Sequence, residues 1–509
     1  MMNYRPFIIL DFGSQLTQLI ARRLRELGFY SEIHSYKYPT AEIQKKTPLG
    51  IILSGGPNSV YETNSPTRDV AELRNISPLL GVCYGMQLLT YQLGGKVTRA
   101  EHREYGLNYV TWTSVLPGVP QKQKVWMSHG DVVESAPKGF EIIGVSDGNH
   151  PAAMRGEGVL ALQFHPEVAH TEHGTDLLNY FAKDMCKATA DWDAPHIKDH
   201  LMVDIRKKVG EKDHVLVGLS GGVDSTVVAT LLTQSLGADR VHCVFVDNGL
   251  LRKNEYESVL ASYKTIGLNV KGVNAKSEFM SALAGKTDPE DKRKAIGRVF
   301  IEVFEKSYDH SSPIKWLAQG TLYPDVIESV SSVGGSVTIK SHHNVGGLPE
   351  KMKLGLVEPV REIFKDEVRA LGAQLGLPKE MLWRHPFPGP GLAIRVIGEV
   401  TEEKLRILKD ADDVFISELR RRGLYEKIWQ AFCVLLPVKT VGVQGDSRTY
   451  DHVLTLRAVT SSDGMTADWY PFEHEFLREV SNLITNKVKG VNRVVYDITS
   501  KPPGTIEWE

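Results

Sequence analysis

The sequence is poor in cysteine, in net charge and in long apolar runs, and each scarcity excludes a class of protein. Only four of the 509 residues are cysteines, and none has the Cys-x-x-Cys spacing of a zinc site or the density of a disulfide framework. The formal net charge is −2 at pH 7, which provides no electrostatic argument for nucleic-acid binding. The N-terminal region has no long apolar signal segment, and no apolar run reaches the length of a membrane span. We therefore expect a protein of a reducing compartment, the cytoplasm, that binds neither nucleic acid nor membranes.

Length and local patterns predict three domains. Short apolar runs such as Gly50–Leu53 and Leu79–Val82, separated by helical patterns, are typical of a parallel sheet covered by helices. The proline- and glycine-rich segment 385–391 would interrupt any helix or strand, so we place a boundary there. The fold class is α/β. The expected domains are two doubly wound parallel-sheet domains followed by a small α+β dimerisation domain, at residues 1–190, 196–384 and 385–509.

A glycine loop, Ser220-Gly-Gly-Val-Asp-Ser-Thr226, lies between an apolar strand and a helix. Backbone N–H groups at a helix N-terminus, flanked by hydroxyls, are suited to binding phosphate oxygens. The loop lacks the Gly-Lys-Ser/Thr of a Walker A motif and the Gly-x-Gly-x-x-Gly of dinucleotide folds. A simple turn whose Asp and Ser cap the helix is the structural alternative. We predict that ATP phosphates bind here, at Ser220, Gly221, Gly222, Val223, Asp224, Ser225 and Thr226.

A cysteine lies at a second strand-to-helix junction. Gly81-x-Cys83-x-Gly85 is the cysteine counterpart of the nucleophile elbow, in which small neighbours permit a sharp turn that exposes the nucleophile. His165 and Glu167 are two positions apart in an extended segment, so they share a face and can act as base and orienting group. A lone Cys or a lone His-x-Glu is more often structural. Together, Cys83, His165 and Glu167 predict a catalytic triad.

A third glycine loop, Ser54-Gly-Gly-Pro57, follows a strand and can present N–H groups to an oxyanion. In this order, the three pieces resemble the type-1 glutamine amidotransferase domain over about the first 190 residues. The resemblance implies that Cys83 attacks the glutamine side-chain amide, that His165 passes a proton to the leaving ammonia, and that the imidazole is oriented by its neighbouring carboxylate. It also implies that Gly56 and Tyr84 contribute N–H groups to the oxyanion hole.

Several other polar segments allow two interpretations. Asp247-Asn248-Gly249, at the end of a strand, is either an adenosine contact or an ordinary turn. The charge-dense segment 287–298 is typical of a solvated helix face, although Lys292 and the next two residues can also cover phosphates as a lid. His342-His343 has no third ligand at a recognised spacing, which favours hydrogen bonding over a metal.

Mg²⁺ accompanying ATP is the expected cofactor, and no organic prosthetic group is expected. This ion takes one or two carboxylates together with phosphate oxygens. The candidates are Asp224 in the glycine loop and Asp325, which comes after a predicted strand with Glu328 nearby. Capping of a surface helix is the alternative for the two later residues.

The loop sequence resembles that of ATP pyrophosphatases, which cleave ATP to AMP and pyrophosphate and adenylate an oxygen. With the amidotransferase motifs and the segments 341–349, 385–395, 445–451 and 501–509, essentially the whole chain is similar to the family of glutamine-hydrolysing GMP synthetases. The resemblance implies amination of XMP to GMP through adenylyl-XMP, the last step of de novo GMP biosynthesis, and a homodimer formed by the C-terminal domain. It implies XMP contacts at Arg298, Gln444, Lys501, Ile506 and Glu507.

From the residues alone, Arg298 and Lys501 are suitable cations for a 5′-phosphate. The tail, which ends in mixed apolar and acidic residues, can fold over a base, although its periodicity alone is typical of a frayed terminus. Rival enzymes fit the first domain less well. A glutamine-dependent NAD synthetase usually carries a nitrilase-like amidase, and an asparagine synthetase has an N-terminal cysteine that Met1-Met2 does not provide. A non-catalytic regulator with a decayed amidotransferase domain conflicts with the intact triad.

Overall fold

The computed structural model describes residues 4–308, 313–330, 354–444, 447–461 and 466–509. Contacts divide the chain into two compact units, Met1–Ile197 with Pro324–Ile339 and Lys198–Tyr323 with Lys340–Glu509. We call them unit 1 and unit 2 and describe each by itself. The pair His342-His343 and the segment 341–349 lie outside the described residues, as do Gly445 and Asp446. Within the described ranges, no helix is both long enough and apolar enough to cross a membrane.

Unit 1 is built on a nine-stranded sheet. The strands are β1 Phe7–Asp11, β2 Ser31–Ser35, β3 Gly50–Leu53, β4 Leu79–Val82, β5 Lys96–Trp112, β6 Lys122–Ser135, β7 Glu141–Ser146, β8 Pro151–Gly156 and β9 Val159–Leu162. The helices are α1 Thr17–Glu26, α2 Thr40–Lys45, α3 Val70–Arg74, α4 Tyr84–Gln92 and α5 Gly174–Asn179, which continues as a π-helical turn, Tyr180–Met185. The strand order is β2-β1-β3-β4-β9-β8-β7-β5-β6.

This sheet has a parallel half and an antiparallel half. β2, β1, β3, β4 and β9 run parallel, and β3, β4 and β9 are buried along their whole length, as a sheet covered on both faces requires. β8, β7, β5 and β6 extend it with antiparallel pairings. The predicted α/β class is confirmed. The antiparallel half was not specified by the short apolar runs, because β6 alternates buried and more exposed residues over much of its length.

Unit 2 begins with a five-stranded sheet in which all strands are parallel, in the order β12-β11-β10-β13-β14. The strands are β10 His214–Leu219, β11 Val241–Asp247, β12 Val270–Asn274, β13 Ile314–Ala318 and β14 Gly355–Val357. The helices of this part of the chain are α6 Ala194–Val209, α7 Val223–Leu236, α8 Glu255–Thr265, α9 Lys276–Leu283, α10 Pro289–Ser307, α11 Tyr323–Val330, α12 Lys365–Gln374 and α13 Lys379–Leu382. α6 and α11 each span a boundary between the two units.

The strand order reverses at β10. The chain continues from β10 through α7 to β11 on one side, whereas β13 pairs with the other side. Ligands of open parallel sheets bind beyond the carboxyl ends of the strands at such a reversal. The loops that follow β10 and β13 come together there, since a Cβ atom added to Gly320 would lie 3.4 Å from Cβ of Asp224. The topology therefore places the glycine loop at the expected ligand edge.

The C-terminal part of unit 2 is α+β. Its elements are a 3₁₀ turn at Gly391–Arg395, α14 Glu402–Arg421, β15 Gln430–Gln444, β16 Ser447–Thr460, β17 Asp468–Trp469, α15 His474–Lys487 and β18 Val491–Tyr496. The Thr401 hydroxyl accepts the Lys404 N–H over 3.3 Å and caps α14. The α+β class expected for the last part of the chain is confirmed.

One apolar cluster includes Leu216 and Phe279 from the parallel-sheet region together with Leu392, Phe415 and Leu454 from the C-terminal elements. The apolar core of unit 2 therefore continues across residue 385, where we place a boundary. The three-domain division remains a prediction.

Candidate functional site

The sharp turn at Cys83 is formed by close packing around two glycines. Cys83 has φ 53° and ψ −109° and connects β4 directly to α4. A Cβ atom at Gly85 would lie 2.2 Å from the Leu53 carbonyl oxygen, and one at Gly81 would lie 2.5 Å from a methyl group of Leu89. The Cys83 N–H donates to the Leu162 carbonyl over 2.7 Å, which ties the turn to β9. The elbow geometry predicted from the glycine spacing is therefore present.

The predicted base and orienting group form a buried pair. His165 Nδ1 and Glu167 Oε1 are 2.7 Å apart, and both side chains are at most 5% exposed. The segment is braced by Thr171 Oγ1, which donates to the His165 carbonyl over 2.6 Å, and by Arg23 Nε, which donates to the Glu167 carbonyl over 3.1 Å. These contacts hold the imidazole in one orientation.

The electrostatics of the pair favour a charged imidazole. Burial by itself lowers the pKa of His165, but the Glu167 carboxylate and the Cys83 side chain raise it, and the resulting pKa is above that of an ordinary histidine. Cys83 is 5% exposed, and its Sγ lies 3.6 Å from the Ser128 carbonyl oxygen. The Cys83 side chain therefore lies close enough to His165 to raise its pKa, the arrangement in which an imidazolium can support a cysteine nucleophile.

The loop predicted to hold an oxyanion lies beside this array. A Cβ atom at Gly55 would be 3.2 Å from Cε1 of His165, and one at Gly56 would be 2.7 Å from the Phe12 carbonyl. The Ser54 carbonyl accepts the Gly85 N–H over 3.1 Å, which joins the loop to the elbow. Tyr84 is the first residue of α4, where a backbone N–H has no partner within the helix. The structure thus brings the oxyanion-loop segment and the elbow together.

Two residues near the nucleophile were not singled out from the sequence. The Ser128 carbonyl contacts the thiol, and Gln87 Nε2 donates over 3.1 Å to the Asp131 carbonyl, linking α4 to β6. The signal in the sequence is the run Ser128-His-Gly-Asp131, which interrupts the apolar residues of a long strand.

The glycine loop of unit 2 is preformed by its own hydroxyls. Gly221 has φ +79°, a conformation that favours glycine, and Gly222 is the N-cap of α7. Thr226 Oγ1 donates to the Gly222 carbonyl over 2.7 Å, and Ser225 Oγ accepts the Ser220 N–H over 3.2 Å. The loop therefore ends at a helix N-terminus whose dipole favours anions.

The two predicted magnesium ligands, Asp224 and Asp325, lie in different surroundings. Both carboxylate oxygens of Asp224 accept from Lys365 Nζ, at 2.5 and 2.6 Å, and the Asp224 side chain is 30% exposed. Asp325 lies in the first turn of α11. Among the described residues, no group of three or more His, Cys, Asp or Glu side chains is arranged to hold a metal. One carboxylate in a phosphate loop nevertheless fits Mg²⁺ that arrives with ATP, because phosphate oxygens and water supply the other ligands.

The Asp247 and Asn248 side chains stabilise a turn at the end of β11. Asp247 accepts the Gly249 N–H over 3.0 Å and pairs with Lys276 at 2.9 Å, while Asn248 accepts the Leu250 N–H over 2.9 Å. The side-chain oxygens of both residues therefore accept hydrogen bonds within the turn, which favours an ordinary turn over an adenosine contact.

The C-terminal tail is anchored, contrary to a frayed terminus. Lys501 exchanges two backbone hydrogen bonds with Ala467, at 2.8 and 3.0 Å. The Glu507 carboxylate accepts from Arg395 Nε at 3.1 Å and its terminal nitrogen at 2.8 Å, and from Gln430 Nε2 at 2.6 Å. A cavity of about 470 Å³ is lined by parts of β16, β18 and the tail, including Glu507.

Two other predicted positions lie on different elements. Arg298, on α10, has a mostly exposed side chain that pairs with Glu302 at 3.0 Å. Gln444 ends β15, and its side chain lies outside the described residues. Lys292 fits neither the solvated helix face expected for segment 287–298 nor the alternative of a lid over phosphates. It is fully buried and bonded to protein acceptors, because it lies on the apolar face of α10.

These features define a class of enzyme in which a cysteine-dependent glutamine amidotransferase domain is joined to an ATP-pyrophosphatase domain. Three family models match the chain: "Glutamine amidotransferase class-I" at residues 8–185, "NAD synthase" at 196–300 and "GMP synthase C terminal domain" at 417–508.

Whole-length relatives narrow the assignment. The chain is 85% identical over 505 residues to the glutamine-hydrolysing GMP synthase of Bdellovibrio bacteriovorus, covering 99% of this chain and 100% of the relative. It is 53% identical over 514 residues to that of Aquifex aeolicus, covering 100% of both. A solved structure of a glutamine amidotransferase from Thermotoga maritima has 20% identity and a TM-score of 0.27, covering 36% of this chain and 83% of that one. The chain belongs to the glutamine-hydrolysing GMP synthases.

Proposed function

We propose that this chain aminates XMP to GMP with ammonia released from glutamine, while ATP is cleaved to AMP and pyrophosphate. The observation that carries the proposal is the presence, in one chain, of a buried Cys83–His165–Glu167 array and a glycine loop at the N-terminus of α7. The first releases ammonia, and the second holds the phosphates of the nucleotide that activates the acceptor.

In the glutaminase reaction, the Cys83 thiolate attacks the side-chain amide carbon of glutamine. The resulting oxyanion is bound by the N–H groups of Gly56 and Tyr84. His165 gives a proton to the leaving nitrogen as the tetrahedral intermediate collapses to a thioester, and then removes a proton from the water that hydrolyses this thioester. Glu167 keeps the imidazole oriented throughout.

In the synthetase reaction, the 2-oxo oxygen of XMP attacks the α-phosphorus of ATP and pyrophosphate leaves. Ammonia then adds at C2, and AMP leaves to give GMP. Activation is required because a ring carbonyl oxygen is a poor leaving group. Free ammonia has to be kept from bulk water, where at neutral pH it is mostly ammonium and not nucleophilic.

Mg²⁺ bound with ATP supplies charge neutralisation of the leaving pyrophosphate. Asp224 would hold it, whereas Asp325 stays a prediction from the sequence, because it belongs to unit 1. Because Lys365 now occupies both oxygens of Asp224, the loop presents a neutral pair that can give up one oxygen to the incoming cation. The N–H groups of the loop would bind the phosphate oxygens.

For XMP, we propose that Arg298 and Lys501 bind the 5′-phosphate and that Gln444, Ile506 and Glu507 contact the base. A carboxylate has about four lone-pair positions. Arg395 and Gln430 already donate to three of them on Glu507, so one acceptor position remains for a base N–H.

A homodimer through the C-terminal region is also proposed. The hairpin of β15 and β16 carries exposed apolar side chains, among them Val443 at 75% and Tyr450 at 67% exposure. Apolar side chains of this kind on a hairpin are typical of a surface that another chain covers. Val443→Asp should convert the dimer to a monomer in light scattering, and an unchanged mass would contradict this surface.

Free cysteines and a catalytic thiol support a cytoplasmic location.

The match to the NAD synthase family suggests a second candidate for the substrate that receives ammonia, a nicotinate dinucleotide in place of XMP. The deciding experiment measures pyrophosphate release from ATP with XMP, the NAD precursor or aspartate added in turn, using ammonium as nitrogen source. We expect release only with XMP. Release with another acceptor, and none with XMP, would overturn the proposed substrate.

A further inference from the structure

Lys292 is a buried charged group to which the proposed reaction gives no role. It lies in α10 and is 0% exposed. Its ammonium donates to the Val396 carbonyl at 2.8 Å, to the Ala393 carbonyl at 3.3 Å and to Glu509 Oε2 at 2.5 Å. These three acceptors match the three donors of an ammonium group. A lysine buried so completely is costly to fold unless a carboxylate compensates its charge, and here that carboxylate belongs to the last residue of the chain.

The contact joins two segments that are distant in sequence. Glu509 is separated from Lys292 by 217 positions, and its other carboxylate oxygen accepts the Gly398 N–H at 3.4 Å. Burial lowers the pKa of the Lys292 ammonium, whereas the Glu509 carboxylate opposes that decrease. Removing the carboxylate would therefore leave an uncompensated charge inside the protein and free the end of the tail.

A second buried cation holds the tail in the same region. Arg395 is 0% exposed and binds Glu507 through two nitrogens. Glu507 and Glu509 thus both face the segment 391–398, while Trp508 between them is 41% exposed and lines the cavity beside β18. The ion pairs of Glu507 and Glu509, two positions apart, therefore determine which tail side chains point away from segment 391–398.

We propose that Lys292 is a positioning residue for XMP: through Glu509 it holds the C-terminal tail in the conformation that presents Ile506 and Glu507 to the base. The inference rests on the proposed function, because it takes the tail as part of the XMP site. α10 also carries Arg298, one of the two proposed phosphate cations, so the ion pair connects this helix with the tail residues that contact the base.

The test uses the full-length enzyme with Lys292→Met, Glu509→Gln and the double variant, and Lys306→Met as matched control, since Lys306 is an exposed lysine of the same helix. XMP affinity is measured by calorimetry, and XMP KM and kcat are measured with ammonium as nitrogen source. Each single variant should raise the XMP Kd and KM at least about tenfold, with kcat at saturating XMP and the ATP KM changed by less than about threefold. The double variant should bind XMP no more weakly than the single variant with the higher Kd, because the two residues act as one pair.

The outcomes separate this role from a purely structural one. Wild-type XMP affinity in folded Glu509→Gln would overturn the proposal, as would a loss of thermal stability in Lys292→Met with XMP binding intact. If Lys292→Met does not fold, Glu509→Gln decides, because it removes the pairing charge at the end of the chain. Failure of the wild-type enzyme to bind XMP would instead contradict the proposed function, and with it this inference.

Discussion

In unit 1, the reactive cysteine, its histidine and its glutamate are buried and already interact, whereas in unit 2 the charged groups proposed to bind nucleotides are paired with other protein side chains. Cys83 and Glu167 both raise the pKa of His165, and His165 Nδ1 lies 2.7 Å from Glu167 Oε1. By contrast, Asp224 is bound by Lys365, and Arg298 pairs with Glu302 on an exposed helix face.

The difference shows two ways of preparing a site. Glutamine is neutral at its reacting end, so the amidotransferase site has to provide all of its own charges, and burial keeps them in place. ATP, Mg²⁺ and XMP bring several charges, so the nucleotide site keeps its charges paired until ligand charges replace the protein partners. The glutaminase activity of unit 1 should therefore depend on the residues of the buried array. Nucleotide binding and activation in unit 2 should depend on the residues that are proposed to contact the ligands.

The largest effect is expected for Cys83→Ala. It should reduce glutamine-dependent GMP formation by about 10⁴-fold or more, because the nucleophile is lost, and leave synthesis from ammonium salts largely intact. Product formation with each nitrogen source is the measurement. Cys186→Ala is the matched control, because burial raises the pKa of that thiol to about 12 and keeps it protonated. Equal loss of both activities in a folded Cys83 variant would abolish the contrast between the units.

Asp224→Ala should be nearly as severe for the other half of the reaction. Loss of the loop carboxylate removes several kcal/mol of nucleotide and metal binding, about a thousandfold in XMP-dependent pyrophosphate release from either nitrogen source. Basal glutaminase activity should survive. Asp239→Ala, at an exposed position of the same unit, serves as control. Wild-type pyrophosphate release would mean that the loop is only a turn.

Glu167→Gln should cost glutaminase kcat/KM about a hundredfold, less than loss of the nucleophile, since an orienting group contributes less than the base it orients. Because Glu167 raises the His165 pKa, the variant should lower that pKa, and the alkaline limb of the pH profile should move to lower pH. The exposed Glu172→Gln is the control. An alkaline limb that stays in place would show that the carboxylate does not support the imidazolium.

Lys501→Ala is expected to have the smallest effect. The XMP KM should rise about ten- to a hundredfold, as for loss of one charge-assisted hydrogen bond, while the ATP KM changes much less. Deleting residues 501–509 should remove XMP binding altogether. Lys489→Ala, an exposed lysine near the tail, is the control. Tight XMP binding by the truncated protein in calorimetry would place the base site elsewhere.

Much of the glutamine site was predictable because its geometry is local. The glycines on either side of Cys83 act within one turn, and the spacing of His165 and Glu167 puts both on one face of an extended segment. The glycine loop was predictable for the same reason, since strand, loop and helix follow one another directly. The antiparallel half of the first sheet was less accessible, because antiparallel pairing depends on partners elsewhere in the chain.

Lys292 shows what a sequence pattern contains and what it omits. Buried positions of α10 recur at Lys292, Ala295, Ile296, Val299 and Val303, a helical period that places the lysine on the apolar face. That period was available, but the charge density of the segment favoured a solvated face. The partner, Glu509, was not available, because nothing in the spacing of the two residues indicates that they meet.

The sequence by itself determined the order of the domains' motifs, the nucleophilic elbow and the phosphate-type loop, because each depends on residues that are neighbours along the chain. Only the tertiary structure decided which charges pair: Asp224 with Lys365, Glu507 with Arg395, and Glu509 with Lys292. The physical reason is that a charge pair is stabilised by proximity and burial, and both arise only when helices and strands from distant parts of the chain pack into one core.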